Sequence, residues 1–233
     1  MFDNKNVLAI IPARGGSKGI KLKNIIKIKG IPLIGYSAKV IQKIKFIDRT
    51  VVSTDSQKIK KVSEKYGLNV PFMRPKRISG DRISDVDVIK DVLGKVEKID
   101  KKKYHLILLL QPTAPFRKPK HVRECIKKLC KEKLDSVWTV SPIDLKNHPK
   151  KQLRIKEGNI EYYEKGGEKI IARQQLDLLY IRNGYCYVMT RECIVKNNSL
   201  KGKKTGAVII KDFPINIDEN LDLKLANFFI RNR

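Results

Sequence analysis

Residues 7–24 read VLAIIPARGGSKGIKLKN, and the fold turns on them. Val7, Leu8, Ala9, Ile10 and Ile11 form an uncharged apolar run of the kind that makes a buried strand. The run breaks at Pro12 and opens into a loop with Gly15, Gly16 and Gly19, through which Arg14, Lys18, Lys21 and Lys23 are threaded. Glycines let backbone N–H groups approach phosphate oxygens and cations neutralise them, so this pattern suits a phosphate-bearing ligand. A plain strand-to-helix turn with solvated lysines is the competing reading. The loop is neither a G-x-x-x-x-G-K-[ST] nor a G-x-G-x-x-G with an acidic residue about 20 positions on.

Working outward, strands and helices alternate. Ile34–Lys45 has helical apolar spacing, and Arg49–Ser53 is a short strand ending in Ser-Thr-Asp. Asp55 or Ser56 caps a helix over Gln57–Tyr66, which stops at Gly67. Val70–Met73 reads as a third short strand, and Asp85 opens a helix to about Glu97. His105–Leu110 (HLILLL) is continuously apolar, the mark of a strand covered on both faces, and it ends at Gln111-Pro112. A helix over His121–Lys131 and a strand over Ser136–Val140 follow. This alternation predicts an α/β fold, a parallel sheet with right-handed crossovers that binds ligands beyond the carboxyl ends of its strands. PARGGSKG, STD, RP and QPTAPFR would then meet on one rim.

From about 141 to 179 the rhythm changes to short, polar, turn-rich segments. Two short strands, around Gly158-Asn159 and around Gly166-Gly167, predict a hairpin-like excursion: a dimerisation flap, a substrate lid or a plain β insertion. RNGYCYVMT resumes strand character, AVIIKDFPINID carries a strand into an acidic turn, and LDLKLANFFIRNR closes the chain as a helix.

With 233 residues, 41% of them hydrophobic, the chain can build one full core. A net charge of +27 would ordinarily point to nucleic acid. The excess is mostly lysine and is spread along the chain, with no arginine-rich arm and no zinc-finger, RRM or helix-turn-helix pattern. The expectation is no nucleic-acid partner and a field that draws in small anionic substrates. The four cysteines make no CxxC pair, Met1–Asn6 is polar, and no run reaches the ~18–20 apolar residues of a membrane span. A cytoplasmic protein with reduced thiols and no membrane insertion is expected.

The segments IPARGGSKGIKLKNI, VVSTDS, RPKRISGD, LLLQPTAPFR, ARQQL, RNGYCYV and NIDENLDLKLA fall in register along nearly the whole chain. Together they resemble the acylneuraminate cytidylyltransferases, or CMP-sialic acid synthetases. That family transfers CMP from CTP to the anomeric hydroxyl of a nine-carbon 2-keto sugar acid, releasing pyrophosphate, for surface glycan biosynthesis. The resemblance implies a Rossmann-like nucleotidyltransferase fold in one domain, 1–233, whose β-rich insertion at 141–175 forms a homodimer interface and part of the sugar site. It also implies Mg²⁺ as cofactor, with CTP and an acidic sugar as substrates. A Kdo-like acid or a phosphonate is the alternative acceptor.

Residue by residue, the resemblance gives catalytic roles to Arg14, Lys23 and Asp218. Gly15, Ser17, Lys18 and Asn24 join Arg14 and Lys23 around the nucleotide, and Arg74, Ser79 and Asp81 wrap its cytosine and ribose. Gln111, Lys151, Arg173 and Asn183 are assigned to the sugar, the two cations to its carboxylate. Asp218 and Asn216 are assigned to the metal. The family usually carries Asp-Ile-Asp in this turn; here it reads Asn216-Ile217-Asp218. Strand alternation would put both side chains on one side, with a neutral amide oxygen replacing one carboxylate. On the residues alone, Asp218 could equally cap the last helix.

Overall fold

In the computed structural model, which describes residues 1–231, the strands are β1 (Val7–Pro12), β2 (Lys27–Ile28), β3 (Ile31–Pro32), β4 (Arg49–Ser53), β5 (Leu106–Leu109), β6 (Ser136–Pro142), β7 (Leu153–Lys156), β8 (Asn159–Tyr162), β9 (Tyr180–Thr190) and β10 (Thr205–Ile209). The helices are α1 (Leu33–Ile41), α2 (Gln57–Lys65), α3 (Asp85–Asp100), α4 (Pro119–Lys131), α5 (Arg191–Val195) and α6 (Asn220–Arg231). Asn232 and Arg233, the end of the expected closing helix, lie outside the described residues.

β1 is apolar along its length because it has a parallel partner on each side, β4 and β5. The main sheet runs β10-β6-β9-β5-β1-β4. β9 is antiparallel to both β5 and β6, while β10 lies parallel to β6. The expected parallel sheet is therefore mostly parallel, with one reversed strand between its two halves. Alternate residues of β1 feed two cores. Val7, Ala9 and Ile11 pack with α1 and α4 residues such as Ile34, Ala38 and Ile126. Leu8 and Ile10 pack with Ile89, Val92 and Val96 of α3 and Ile194 of α5. Side-chain alternation at period 2 makes one strand serve both layers.

Three expectations need correction. Val70–Met73 forms no strand: Pro71 has no N–H to offer a ladder, and this stretch runs beside β4 with flanking backbone bonds at Val52 N to Asn69 O, 2.9 Å, and Arg74 N to Thr54 O, 2.7 Å. The strand in AVIIKDFPINID ends at Ile209, so Asn216 and Asp218 sit in irregular chain. Alternation survives there, because Ile215 and Ile217 are buried and the two polar residues face the other way. Around Gly166-Gly167 the chain makes a single 3-10 turn, not the expected short strand, with Gly167 packed under the Tyr162 ring and the Lys150 carbonyl.

The excursion leaves after Pro142 and is closed by Pro142 pairing with Tyr180 and by Ile143 N donating to Leu179 O, 3.0 Å. It thus spans 143–179, returning later than the expected boundary at 175. Its β7–β8 hairpin turns at Gly158, which holds φ +83°. Ile155 and Ile160, facing each other in the hairpin, are 78% and 69% exposed, and Ile171 is 94% exposed.

Candidate active site

The rim at the carboxyl ends of β1, β4 and β5 holds a cleft of about 570 Å³. Beyond Pro12, Ala13 N still donates to Ser53 O at 2.9 Å, and the chain then departs as a loop. Gly15 N donates to Asp55 Oδ1 at 2.7 Å, which ties the loop to the start of α2, where Ser56 is the cap. Asn24 Nδ2 donates to Arg14 O at 3.0 Å and closes the loop on itself. Gly19 presses against the far wall, where a Cβ would lie 2.4 Å from the Asp218 carbonyl oxygen. Any side chain there would push the loop off the Asp218 segment.

Three of the four loop cations are aimed by a carboxylate. Arg14 Nη1 reaches Asp81 Oδ1 at 2.5 Å, Lys18 Nζ reaches Asp81 Oδ2 at 2.7 Å, and Lys23 Nζ reaches Asp218 Oδ1 at 2.6 Å. Hydrogen bonds from Lys18 and then Arg14 hold the Asp81 carboxyl below its ordinary value. Asp218 also accepts from Asn216 Nδ2 at 3.1 Å. Among the described residues the Asp218 carboxylate accepts from Lys23 and Asn216 and from no backbone N–H of α6, while Asp222 Oδ2, in the first turn of that helix, accepts from the backbone N–H groups of Asp218 and Glu219, both at 2.8 Å. That releases the Asp218 side chain to the cleft.

Arg14, Ser17, Lys18, Lys23, Asn24, Arg74, Asp81, Gln111, Asn216 and Asp218 all line this one space. The remaining expected residues lie elsewhere. Gly15 turns its N–H to Asp55. Ser79 Oγ donates to Pro75 O at 3.0 Å and closes a local turn. Asn183 is 2% exposed and fully engaged: Oδ1 accepts from Thr139 Oγ1 at 2.7 Å and Tyr185 N at 3.1 Å, and Nδ2 donates to Ser141 Oγ at 3.0 Å. It knits β6 to β9. Arg74 lines the cleft but spends its guanidinium on Ser53, Nε to Oγ at 2.9 Å and Nη2 to O at 2.6 Å, and burial lowers its pKa. Lys151 and Arg173 lie in the excursion, exposed, and their side chains make no ion pair or hydrogen bond among the described residues.

Three residues of the site escaped the sequence reading. Arg117, which reads as a surface cation, is 4% exposed. Its guanidinium donates to Tyr185 O, to Ser37 Oγ at 3.0 Å, to Gln111 O at 2.5 Å and to Gly184 O at 3.1 Å. Burial pulls its pKa down to about 10. Carbonyl oxygens thus take the place of a carboxylate partner, and the arginine clamps the end of β5 to β9. Gly184 holds φ +71°, and a Cβ there would meet Gln111 Oε1 at 2.6 Å. Asp85 lines the cleft from the first turn of α3, and burial raises its pKa against the opposing pull of Arg182 and Arg74. Its position after Ser84 marked it only as a helix start.

A wound, mostly parallel sheet with a cation-lined loop after its first strand is the architecture of a nucleotidyltransferase. The chain belongs to the cytidylyltransferase family, whose model matches residues 8–231. It is 30% identical over 228 residues to the post-translational flagellin modification protein B of Campylobacter coli, across 97% of this chain and 96% of that one. It is 32% identical to the CMP-N,N'-diacetyllegionaminic acid synthase of Legionella pneumophila, across 94% of each chain. Among solved structures it superposes on a CMP:2-keto-3-deoxy-manno-octonic acid synthetase complexed with CTP, with TM-score 0.71 and 16% identity, covering 97% of this chain and 99% of that one. Among the described residues no helix is long and apolar enough to cross a membrane.

Proposed function

We propose that this cytidylyltransferase joins CMP from CTP to the anomeric hydroxyl of a nine-carbon 2-keto sugar acid, releasing pyrophosphate, and that it does so with Mg²⁺ as a homodimer. The observation that carries this reading is the sharing of one cleft by Arg14, Lys18, Lys23 and Gln111. The relative named CMP-N,N'-diacetyllegionaminic acid synthase supports the acceptor class. The volume of the cleft, about 570 Å³, lies within the roughly 300–1,000 Å³ of small-molecule sites.

In this reading the sugar hydroxyl oxygen attacks the α-phosphorus and gives up its proton to solvent water, the bond from that phosphorus to the bridging oxygen breaks, and the electron pair leaves with pyrophosphate. Negative charge accumulates on the leaving group, and fixed cations stabilise charge at the place where it develops. Arg14 and Lys18 exchange Asp81 for phosphate oxygens, and Lys23, held by Asp218, is already in place. The low side-chain exposure of Lys23 strengthens its pull.

For the cation, Asn216 and Asp218 are the fitting pair. Asn216 Oδ1 is buried, accepts no hydrogen bond among the described residues, and stands beside a carboxylate. Among those residues no cluster of three His, Cys, Asp or Glu side chains could hold a metal. One carboxylate plus an amide oxygen suits Mg²⁺, which takes much of its shell from water and substrate phosphate. When bound, it would neutralise charge on the phosphate oxygens. Asn216→Asp is expected to lower the Mg²⁺ concentration giving half-maximal turnover.

The test is pyrophosphate release from CTP and Mg²⁺ with a panel of sialic, legionaminic and pseudaminic acids, plus Kdo. Turnover with at least one of the nine-carbon acids is expected. CTP-dependent release with none of them would overturn the acceptor class.

A further inference from the structure

β9 swells where it passes the cleft. Trp138 of β6 pairs with Tyr187 and Val140 with Arg182, so Thr139 alone stands opposite Asn183, Gly184, Tyr185 and Cys186. A bulge interrupts ladder bonding and re-aims the chain, and bulges gather beside active sites. Here side chains take the place of the ladder. Thr139 Oγ1 accepts from Cys186 N at 2.9 Å, Tyr187 Oη accepts from Gly184 N at 3.1 Å, and Asn183 Oδ1 accepts from Tyr185 N at 3.1 Å. Arg117 donates to the carbonyl oxygens of Gly184 and Tyr185. With its backbone groups paired in this way, the bulge is held in one shape.

That shape brings Gly184 against Gln111. Arg117 Nη2 reaches Gln111 O at 2.5 Å and Gly184 O at 3.1 Å, so one nitrogen ties the two backbones together. With both backbones fixed, the Gln111 side chain lies on the bare Cα of Gly184. A Cβ there would stand 2.6 Å from Gln111 Oε1, but 3.7 Å from Asn216 Oδ1. The first distance is a clash and the second an ordinary contact. The atom that must give way is the tip of a flexible side chain, so a methyl group at 184 makes Gln111 swing aside and leaves the sheet closed. We propose that Gly184 is a positioning residue: its missing side chain is the seat of the Gln111 amide, and it sets where that amide stands at the sugar end of the cleft.

The inference rests on Gln111 facing the sugar acid, as the proposed function has it. The experiment is a double-mutant cycle on the full chain, with Gly184→Ala, Gln111→Ala and G184A/Q111A, and separate saturation curves for CTP and for the best nine-carbon acid. G184A is expected to raise the sugar-acid KM by about tenfold, the scale of one lost hydrogen bond, and to leave the CTP KM within about twofold. In Q111A no amide remains to be displaced, so adding G184A should change the sugar-acid KM by less than about twofold. A side chain at the φ +71° of Gly184 also strains the backbone. Gly30→Ala supplies the comparison, because Gly30 holds φ +76° between β2 and β3 with nothing within 4 Å of its Cβ position. It should lower Tm as G184A does and leave the sugar-acid KM at the parental value. Should G184A fail to fold, Tyr187→Phe carries the same test, because it frees the Gly184 N–H without adding an atom. It should raise the sugar-acid KM about threefold in the parent and leave it unchanged in Q111A. An unchanged sugar-acid KM in G184A, an equal rise in the CTP KM, or the same rise with and without the Gln111 side chain would each overturn the positioning role while leaving the proposed function intact. For Tyr187→Phe the same three results count against it. Failure of the proposed function shows earlier, as a parent protein that turns over no nine-carbon acid.

Discussion

The loop at 13–24 and the excursion at 143–179 both carry cations, but the molecule treats them differently. In the loop, Arg14 and Lys18 are drawn to Asp81 and Lys23 to Asp218, and all three cations line the cleft. In the excursion, Lys151 and Arg173 point to no acidic partner among the described residues, and the large apolar side chains Ile155, Ile160 and Ile171 stand in solvent. A cation held by a carboxylate is preorganised for an anion that replaces the carboxylate. Cations set among exposed apolar residues have no such counter-charge to organise them, and exposed apolar patches of this kind are common at interaction sites. The first region carries its counter-charges within one chain, and the second leaves Ile155, Ile160 and Ile171 exposed.

The largest effect is expected where the loop cations are removed. Arg14→Ala and Lys23→Ala should each lower kcat by about 10²-fold, the scale of losing one group that stabilises developing charge. Steady-state kinetics with saturating CTP measures this, and near-parental turnover in both variants would remove the loop from the chemistry. Lys23→Ala carries a further consequence, since it leaves Asp218 facing the cleft with Asn216 as its remaining side-chain partner.

Next in size is the change in assembly. The double variant Ile155→Asp, Ile160→Asp puts two charges on the exposed face of the β7–β8 hairpin, where neither parent side chain has a core to fill. A homodimer built on this face should run as a monomer in size-exclusion chromatography with light scattering, with the melting of the main sheet little changed. Turnover should fall along with the dimer if Lys151 and Arg173 complete a neighbouring subunit's cleft. A parental mass at micromolar concentration would place the interface elsewhere.

The two regions also differ in how far they can be read from the sequence. The loop was legible because its chemistry is local: an apolar run, glycines and cations occur within eighteen consecutive residues. The alternation through 140 likewise made four strands of the main sheet legible, β1, β4, β5 and β6, since strand and helix periods differ sharply. What could not be read was long-range pairing. Nothing local to RNGYCYVMT says that β9 runs backwards between β5 and β6. Arg117 looks like any surface arginine until the carbonyls of Gln111 and Gly184 surround it. The hydrogen bonds of Asn183 were not legible for the same reason, because Thr139 and Ser141, its partners, are more than forty residues away. The pairing of Asp218 with Lys23, 195 residues apart in the sequence, is equally invisible to local spacing.

A smaller effect tests the pairing of the loop cations itself. Asp81 is exposed and occupies both Arg14 and Lys18, so phosphate must displace it. Asp81→Asn should tighten binding of CTP or pyrophosphate by about two- to fivefold at low salt, in keeping with the modest strength of exposed ion pairs, and the gain should shrink as salt rises. Isothermal titration at two ionic strengths measures it. Weaker binding would mean that Asp81 holds the cations in a geometry the ligand needs, so that the carboxylate organises the loop more than it competes for it.

The smallest expected effect lies behind the cleft, where the rim is sealed against solvent as the excursion is not. His121 is 2% exposed, accepts a hydrogen bond on Nδ1 from Lys118 N at 3.2 Å, and stacks on Tyr185 with ring centroids 5.5 Å apart. Burial, then the nearby Lys120 and Lys118 charges, lower its pKa from the ordinary 6.5 to about 4. Between those values the unfolded chain takes up a proton that the folded chain refuses. Stability therefore falls as pH drops through this window and is retained above it. His121→Gln keeps an acceptor at the third position of α4, where glutamine is a natural capping residue, and removes the titration. The drop in Tm from pH 6.5 to 4.5 should then be smaller in the variant than in the parent, even if the variant starts lower through loss of the ring stack. Carboxylates held below their ordinary pKa, such as Asp81 and Glu97, contribute to the acid response of both proteins, so the difference between the two slopes isolates the imidazole. Parallel slopes would mean that His121 is protonated at the same pH folded and unfolded, and would remove burial beside two lysines as a brake on its protonation.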